Sequence, residues 1–446
     1  MRLILVTLHK WAGLLIAGFL FISGLTGAVI SWDHEIDEWL NPHLTDARAT
    51  GPALPPLALA QQIEARHPQV MVIALPMAAE PGHSLSFGVE PRVDPATGKL
   101  FKPGFNQVFV DPASGEELGR REWGAVWPLG KENFVSFLYV LHYSLHLPKM
   151  WGIDRWGVWL LGAVALVWTI DCFTGFWLTL PVRRASQTEN TEKTEKTAAS
   201  APAAGKGWWQ RWKPSWKIRW GGGPYRLNFD LHRAGGLWTW ALLFVIAFTA
   251  FSLNLYREVF FPAMSLVSNA TPTPFEQRAP TEEEKPVVPV LGYADVLASA
   301  TQEARRRGWD EPVGQLFYAQ LFGIYGAQFY APQDEHGAGG VGHRVLYLDA
   351  LDGRFVGSSE PWKGTAADIF VQAQFPVHSG RILGLPGRIL ISVMGLVVAM
   401  LSVTGVVIWL RKRRAQARSR LQQDDAGAAS AGLPSTAPVV HAGARG

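Results

Sequence analysis

The sequence predicts an α-helical membrane protein: four transmembrane helices, two small α+β modules on one side of the bilayer, and an internal duplication relating its halves. Three observations lead there. Four apolar runs are each long enough to cross the roughly 30 Å hydrocarbon core, which takes about 20 residues of helix. Lys and Arg gather at alternate ends of those runs. Three blocks of sequence recur in the same order in both halves of the 446-residue chain. Composition agrees, since charged residues are 17% against roughly 25% in an average soluble protein. Trp is abundant, at 20 residues.

The runs are "WAGLLIAGFLFISGLTGAVISW" (11–32), "WGVWLLGAVALVWTIDCFTGFWLTL" (156–180), "GGLWTWALLFVIAFTAFSLNLY" (235–256) and "GRILISVMGLVVAMLSVTGVVIWL" (387–410). The first is longer than a signal-peptide core and lacks a small-x-small cleavage site before Trp32, so it reads as a retained helix. "PVRR" follows the second run and "RKRRAQARSR" the fourth; the loop between runs two and three is basic, and Arg2 and Lys10 precede run one. The positive-inside rule puts all four regions in the cytoplasm. Both termini are then inside, and in a bacterium the two long connections face the periplasm from the inner membrane. The single cysteine, Cys172, has no internal partner, and no C-x-x-C-H occurs, which excludes covalent c-type haem attachment.

The duplication is read from matching blocks. "LHKWAGLLIAGFLFISGLTG" (8–27) aligns without gaps with "LHRAGGLWTWALLFVIAFTA" (231–250), with Leu8/Leu231, His9/His232, Gly13/Gly236 and Thr26/Thr249 among the identities. "VFVDPASGEELG" (108–119) matches "LYLDALDGRFVG" (346–357), and "FTGFWL" (173–178) matches "VTGVVI" (403–408). Each half reads as histidine, helix, outer module, histidine, helix.

The resulting boundaries are 1–33 for the first helix and 34–136 for the first periplasmic module. Residues 137–181 hold an outer histidine segment and the second helix, 182–231 a cytoplasmic loop, and 232–257 the third helix. The second module spans 258–375, a second outer histidine segment with the fourth helix 376–410, and a disordered cytoplasmic tail 411–446. Each module opens with a helix-like stretch ("LALAQQIEARHP", "YADVLASATQEARRRG") followed by alternating strands and a turn rich in Asp and Gly. The loop stretch 185–207 is polar and of low complexity, hence expected to be disordered. "WWQRWKPSWKIRW" interleaves Trp with Lys and Arg; beside a membrane span that pattern suits lipid headgroups rather than nucleic acid.

Topology sorts the histidines by depth. His9 and His232 sit at the cytoplasmic starts of runs one and three. His142, His146 and His378 precede runs two and four on the other side. A lone interfacial histidine is usually solvated, but two matched imidazoles from different helices can clamp a haem iron from both sides. His9 and His232 are expected to hold an inner haem. His378 and one of His142 and His146 are expected to hold an outer one. The latter two lie at i and i+4, on one face if helical, and the spacing allows either as ligand. H-x-x-x-H also occurs in zinc sites, but the H-E-x-x-H glutamate is missing. Arg155, Arg381 and Arg388 outside, and Arg233, Lys10 and Arg226 inside, are candidates for propionate contacts; interfacial anchoring explains them equally well. Asp171 is a costly intramembrane carboxyl, placed to hydrogen-bond a ligand imidazole, to carry a proton, or to join helices.

"LHKWAGL", "LHYSLHLP", "DLHRAGGLW" and "FPVHSGRILGLPGRILISVMGLVVAMLSVTGVVIW" together resemble the PepSY-associated transmembrane helix family, which includes iron-regulated inner-membrane proteins similar to ferric-siderophore reductases. The hairpins at 108–119 and 346–357 look like PepSY modules. The resemblance implies b-type haem, two per chain, on His9, His142, His232 and His378; His146 fits the family pattern less uniformly. It implies electron transfer across the membrane to a periplasmic ferric siderophore, which reduces Fe(III) to Fe(II) and loosens the chelate. No Rossmann-type glycine fingerprint follows a strand, so the donor is expected to be separate: a reduced flavin, a flavoprotein or quinol. Trp151, Trp156, Trp159 and Trp168 can line a route, although interfacial packing accounts for them. Two other classes remain open: a non-enzymatic regulator, whose histidines would be dispensable, and a siderophore or metal transporter, which an expected lack of broken helices disfavours.

Overall fold

The computed structural model describes residues 1–182, 207–332, 334 and 337–430. The stretch expected to be disordered, 185–207, lies outside them except for Gly207. In chain order the helices are α1 (Arg2–Ile30), α2 (Asp33–Leu40), α3 (Pro42–Thr45), α4 (Pro56–Arg66), α5 (Lys131–Ser144), α6 (Trp156–Thr179) and α7 (Trp208–Trp212). Then come α8 (Gly223–Trp238), α9 (Trp240–Asn254), α10 (Phe261–Val267), α11 (Pro274–Gln277), α12 (Tyr293–Arg306), α13 (Ala366–Ser379) and α14 (Leu385–Ser430). The chain forms two compact units: Met1–Phe21, Ile170–Trp240 and Val398–Gly446 make one, and Ile22–Thr169 with Ala241–Val397 the other. The units are therefore assembled from separated stretches rather than following one another along the chain.

Among the described residues α1, α6 and α14 are each long and apolar enough to cross a membrane, and the bent pair α8–α9 makes a fourth span if counted as one. Apolar side chains on these helices point outward, with Leu15 68%, Ile170 59% and Leu396 56% exposed. A helix that is apolar all round needs a lipid partner for such a surface. The third run, expected as one helix over 235–256, is broken at Thr239 and bent by 72°. Gly235 and Gly236 weaken the helix there, and the Thr239 hydroxyl donates to the Gly235 carbonyl at 2.8 Å, a side-chain bond that bends helices. The fourth helix also differs from expectation. It runs on to Ser430 instead of giving way to disorder at 411, because "RKRRAQARSRLQQDD" holds no Gly or Pro and is rich in good helix formers. The tail from 431 lies outside the described residues.

The larger unit holds an eight-stranded antiparallel sheet: β1 (Val70–Pro76), β2 (Leu85–Pro91), β3 (Gln107–Val110), β4 (Glu117–Arg121), β5 (Val313–Ala319), β6 (Ile324–Phe329), β7 (Arg344–Asp349) and β8 (Phe355–Ser359). Their order is β4-β3-β2-β1-β5-β6-β7-β8. The two expected modules are thus one sheet, two four-stranded meanders joined edge to edge where Ala74 pairs with Phe317 and Leu75 with Leu316. Pairing β1 with β5 removes two exposed sheet edges at once. β1 is an apolar run without strand alternation, which hid it in the sequence. Helices α4 and α12 cover one face of the sheet through Leu59, Ile63, Val296 and Ala300, over Val72, Phe87, Leu316 and Leu346, all at most 1% exposed. Tyr293 on α12 donates its hydroxyl to the Val72 carbonyl at 2.9 Å, tying the second meander's helix to β1, the strand by which the first meander joins it.

The sheet is fastened to the helices that carry histidines. Arg121 at the end of β4 forks onto both Asp37 oxygens of α2, at 2.9 and 2.8 Å, and donates to the Glu132 carbonyl in the first turn of α5 at 2.7 Å. In the same unit α14 meets α1 at Gly395, where an added Cβ would lie 2.4 Å from the Gly24 carbonyl oxygen. Such close helix contact needs a small residue.

Candidate functional site: two opposed imidazole pairs

Each compact unit contains one pair of histidines. In the smaller unit His9 of α1 faces His232 of α8, with ring centres 6.2 Å apart and planes at 52°. In the larger unit His142 of α5 faces His378 of α13, with centres again 6.2 Å apart and planes at 54°.

Every one of these rings is held from behind through Nδ1. Thr26 Oγ1 lies 3.1 Å from His142 Nδ1, and Thr249 Oγ1 lies 2.9 Å from His378 Nδ1. Thr404 Oγ1 and the Leu401 carbonyl lie 3.0 and 3.1 Å from His232 Nδ1. His9 differs, because Asp171 takes its Nδ1 with both oxygens, at 3.0 and 2.9 Å, and accepts from Thr174 at 2.5 Å. Of the roles expected for Asp171, the contact with His9 corresponds to the first, a hydrogen bond to an imidazole.

With Nδ1 engaged, Nε2 is the ring atom left for a ligand. None of the four Nε2 atoms has a hydrogen-bond partner among the described residues. Glycine makes room for two of the rings and lies in ordinary contact with a third. An added Cβ would lie 2.9 Å from His142 Cε1 at Gly27, 3.1 Å from His232 Cε1 at Gly405, and 3.4 Å from His9 Cε1 at Gly175. Thr26–Gly27, Thr174–Gly175 and Thr404–Gly405 therefore form a repeated clamp, and Thr249–Ala250 is its fourth copy with alanine. Sequence inspection missed these threonines and glycines as site residues. Their signal was present, since all four dipeptides fall inside the repeated blocks.

The 6.2 Å spacing has chemical meaning. Two imidazoles sharing a hydrogen bond of ordinary length would put their ring centres roughly 5 Å apart. Two that bind one metal through Nε2, at about 2 Å per bond, put them roughly 6 Å apart. Two imidazoles do not complete a coordination sphere, and no group of three or more His, Cys, Asp or Glu gathers to hold a metal ion among the described residues. The pairs fit a metal whose other ligands arrive with a prosthetic group. His142 and His378 lie on helices outside the apolar spans. Loss of solvent around them lowers both to about 4, so each is neutral at pH 7, the form that binds metals.

His146 is directed elsewhere. α5 ends at Ser144, and Leu145 and His146 take left-handed backbone angles, φ 56° and 52°. The helical i, i+4 relation to His142 is lost there. The His146 ring instead stacks on Phe137 at 4.6 Å, with Nε2 2.8 Å from the Phe137 carbonyl.

The arginines expected near propionates are engaged with protein groups. Arg155 pairs with Glu258 at 3.1 Å, Arg381 with Asp33 at 3.4 Å, and Arg388 with Glu35 at 2.7 Å and the Ser31 carbonyl at 2.8 Å. Arg233 pairs with the fully buried Asp230, which also binds Arg219 and approaches Arg226 at 3.9 Å. Lys10 lies over the Trp11 ring. The Trp/Lys/Arg segment is anchored as well: Trp212 donates to Thr179 at 3.2 Å and Arg211 to the Val182 carbonyl at 3.0 Å, while Trp209 remains 67% exposed.

Comparison with curated proteins returns no match. Comparison with protein families matches residues 6–412 to the one described as PepSY-associated TM region. That match spans most of the chain, so the protein belongs to the family of the PepSY-associated TM region and is a membrane protein.

Proposed function

We propose that this protein is a di-haem b-type transmembrane electron-transfer protein that reduces Fe(III) of a ferric siderophore to Fe(II). The observation that carries the reading is the repetition of one device: two imidazole pairs, each 6.2 Å between ring centres, all four rings held at Nδ1 with Nε2 turned forward. His9 and His232 would hold one haem, and His142 and His378 the other. Haem when bound supplies a one-electron carrier whose potential follows its axial ligands and their hydrogen bonds. The chain's own groups do the rest. Thr26, Thr249, Thr404 and Asp171 fix ring orientation and tautomer. Gly27 and Gly405 let the flanking helix lie close behind the ring. We further infer that the two halves descend from one duplicated unit, which the mirrored strand order supports. In this reading the protein sits in a bacterial inner membrane with both termini cytoplasmic and the sheet in the periplasm. Reducing equivalents come from a reduced flavin, a flavoprotein or quinol.

The deciding measurement is the visible spectrum of the purified protein, oxidised and dithionite-reduced, with haem counted per chain. The expectation is a reduced b-type α-band and about two haems, with one lost in His9→Ala and one in His378→Ala. A colourless protein refutes the reading.

A transporter is the second reading, and the break at Thr239 favours it, because discontinuous helices build the substrate sites of many transporters. Uptake of a labelled ferric chelate into proteoliposomes without Fe(II) formation would select it.

A further inference from the structure

The two imidazole pairs share their spacing but not their electrostatics. In the His142–His378 pair both rings meet neutral groups only, the Thr26 and Thr249 hydroxyls at Nδ1 with backbone hydrogen bonds to Ser23 and Ile246. In the His9–His232 pair, His232 meets a hydroxyl and a carbonyl, while His9 meets a carboxylate. Asp171 has no Lys or Arg partner among the described residues; its polar contacts are His9 Nδ1 and Thr174 Oγ1. It is also only 11% exposed on its side chain. A carboxylate in such surroundings draws the Nδ1 proton toward itself and makes Nε2 a more basic ligand. A more basic ligand, with an uncompensated negative charge beside it, favours the ferric over the ferrous state.

We infer that Asp171 makes the His9–His232 haem the lower-potential of the two and so sets the direction of electron flow, toward the His142–His378 haem. The inference rests on the di-haem reading above. With both haems bound, His142 and His378 would hold the group that takes up a single electron first, and Asp171 would keep the group on His9 and His232 oxidised. Asp171 acts here as a positioning and potential-setting residue, since it reaches the metal only through His9.

The test is a spectroelectrochemical titration of the haem-loaded protein. Wild type should show two waves. His9→Ala should remove the lower one. Asp171→Asn should shift the lower wave upward and leave the upper wave in place. Should Asp171→Asn fail to fold, Thr174→Val serves: it frees a carboxylate oxygen from its 2.5 Å hydroxyl bond, strengthens the pull on His9, and should move the lower wave further down. Loss of the upper wave in His9→Ala overturns the inference. So does a lower wave that stays put in both Asp171→Asn and Thr174→Val. Those outcomes leave the di-haem reading standing, whereas a protein without b-type absorbance removes both.

Discussion

His142 and His378 face each other across 6.2 Å between ring centres, although 236 positions of sequence separate them. Each is steadied by a threonine from a different helix, Thr26 on α1 and Thr249 on α9. Four elements therefore converge on one pair of imidazoles. The same arrangement recurs at His9 and His232, with Asp171 in place of one threonine.

This geometry separates the two histidines of "LHYSLHLP". On the di-haem proposal, His142→Ala should remove about half the bound haem. His146→Ala should retain it, because its ring is bound to the Phe137 carbonyl and stacked on Phe137. Haem per chain in the purified variants decides the matter. Equal loss in both would mean that His146 swings into the site.

The glycines behind the rings should rank by the room each Cβ would find. Gly27→Ala brings a Cβ to 2.9 Å from His142 Cε1, closer than carbon atoms tolerate, so the ring must move. Gly405→Ala is a milder squeeze at 3.1 Å, and Gly175→Ala at 3.4 Å is ordinary contact. Haem retention should follow that order, lowest for Gly27→Ala and near wild type for Gly175→Ala. A reversed order would show that these glycines do not shape the sites.

Much of this was legible before any coordinates, and the exceptions have physical causes. Apolar runs located α1, α6 and α14, since spanning length is a one-dimensional property. Matched blocks paired His9 with His232, and depth placed His378 opposite the "LHYSLHLP" segment. Spacing alone left His142 and His146 open and only the family resemblance favoured His142, because the difference turns on left-handed angles at Leu145 and His146. The break at Thr239 was also hidden: apolar content continues through it, and it is marked by two glycines and a hydroxyl bond to Gly235. The union of two modules into one sheet depends on an edge pairing, Ala74 with Phe317, that no local pattern announces.

Arg121 should be a keystone for stability. Its side chain is 8% exposed and forks onto Asp37, with further bonds to Gln107 and the Glu132 carbonyl. Replacing it with Met leaves the partly exposed Asp37 carboxylate with Asn41 as its remaining side-chain partner, and breaking a pair this buried costs up to about 3 kcal/mol. Glu132 lies in the first turn of α5, the helix that carries His142. Thermal unfolding of Arg121→Met in detergent should therefore show a clear loss of stability and, on the di-haem proposal, earlier release of the haem held by His142 and His378. A loss under about 1 kcal/mol would show that water already satisfies these groups.

Asp111 should give the sheet an acid-labile turn. It is fully buried between β3 and β4. Oδ1 accepts from the N–H groups of Ala113 and Ser114, and Oδ2 from those of Arg48 and Ala49, at 2.6 to 3.0 Å. Burial opposes ionisation, but the four donors outweigh it and hold the carboxyl well below its ordinary value of 3.8. A depressed folded value means that this contribution is fully present above about pH 4 and fades as pH falls toward the folded value, because the unfolded chain takes up the proton first. Asp111→Asn turns an amide NH₂ toward two N–H donors, so the variant should be less stable at pH 7 by about 1–3 kcal/mol. It should also lose less stability than wild type between about pH 5 and pH 2.5. Tryptophan-fluorescence unfolding of both proteins across that range tests the point, and identical acid slopes would show that Asp111 is not the titrating group.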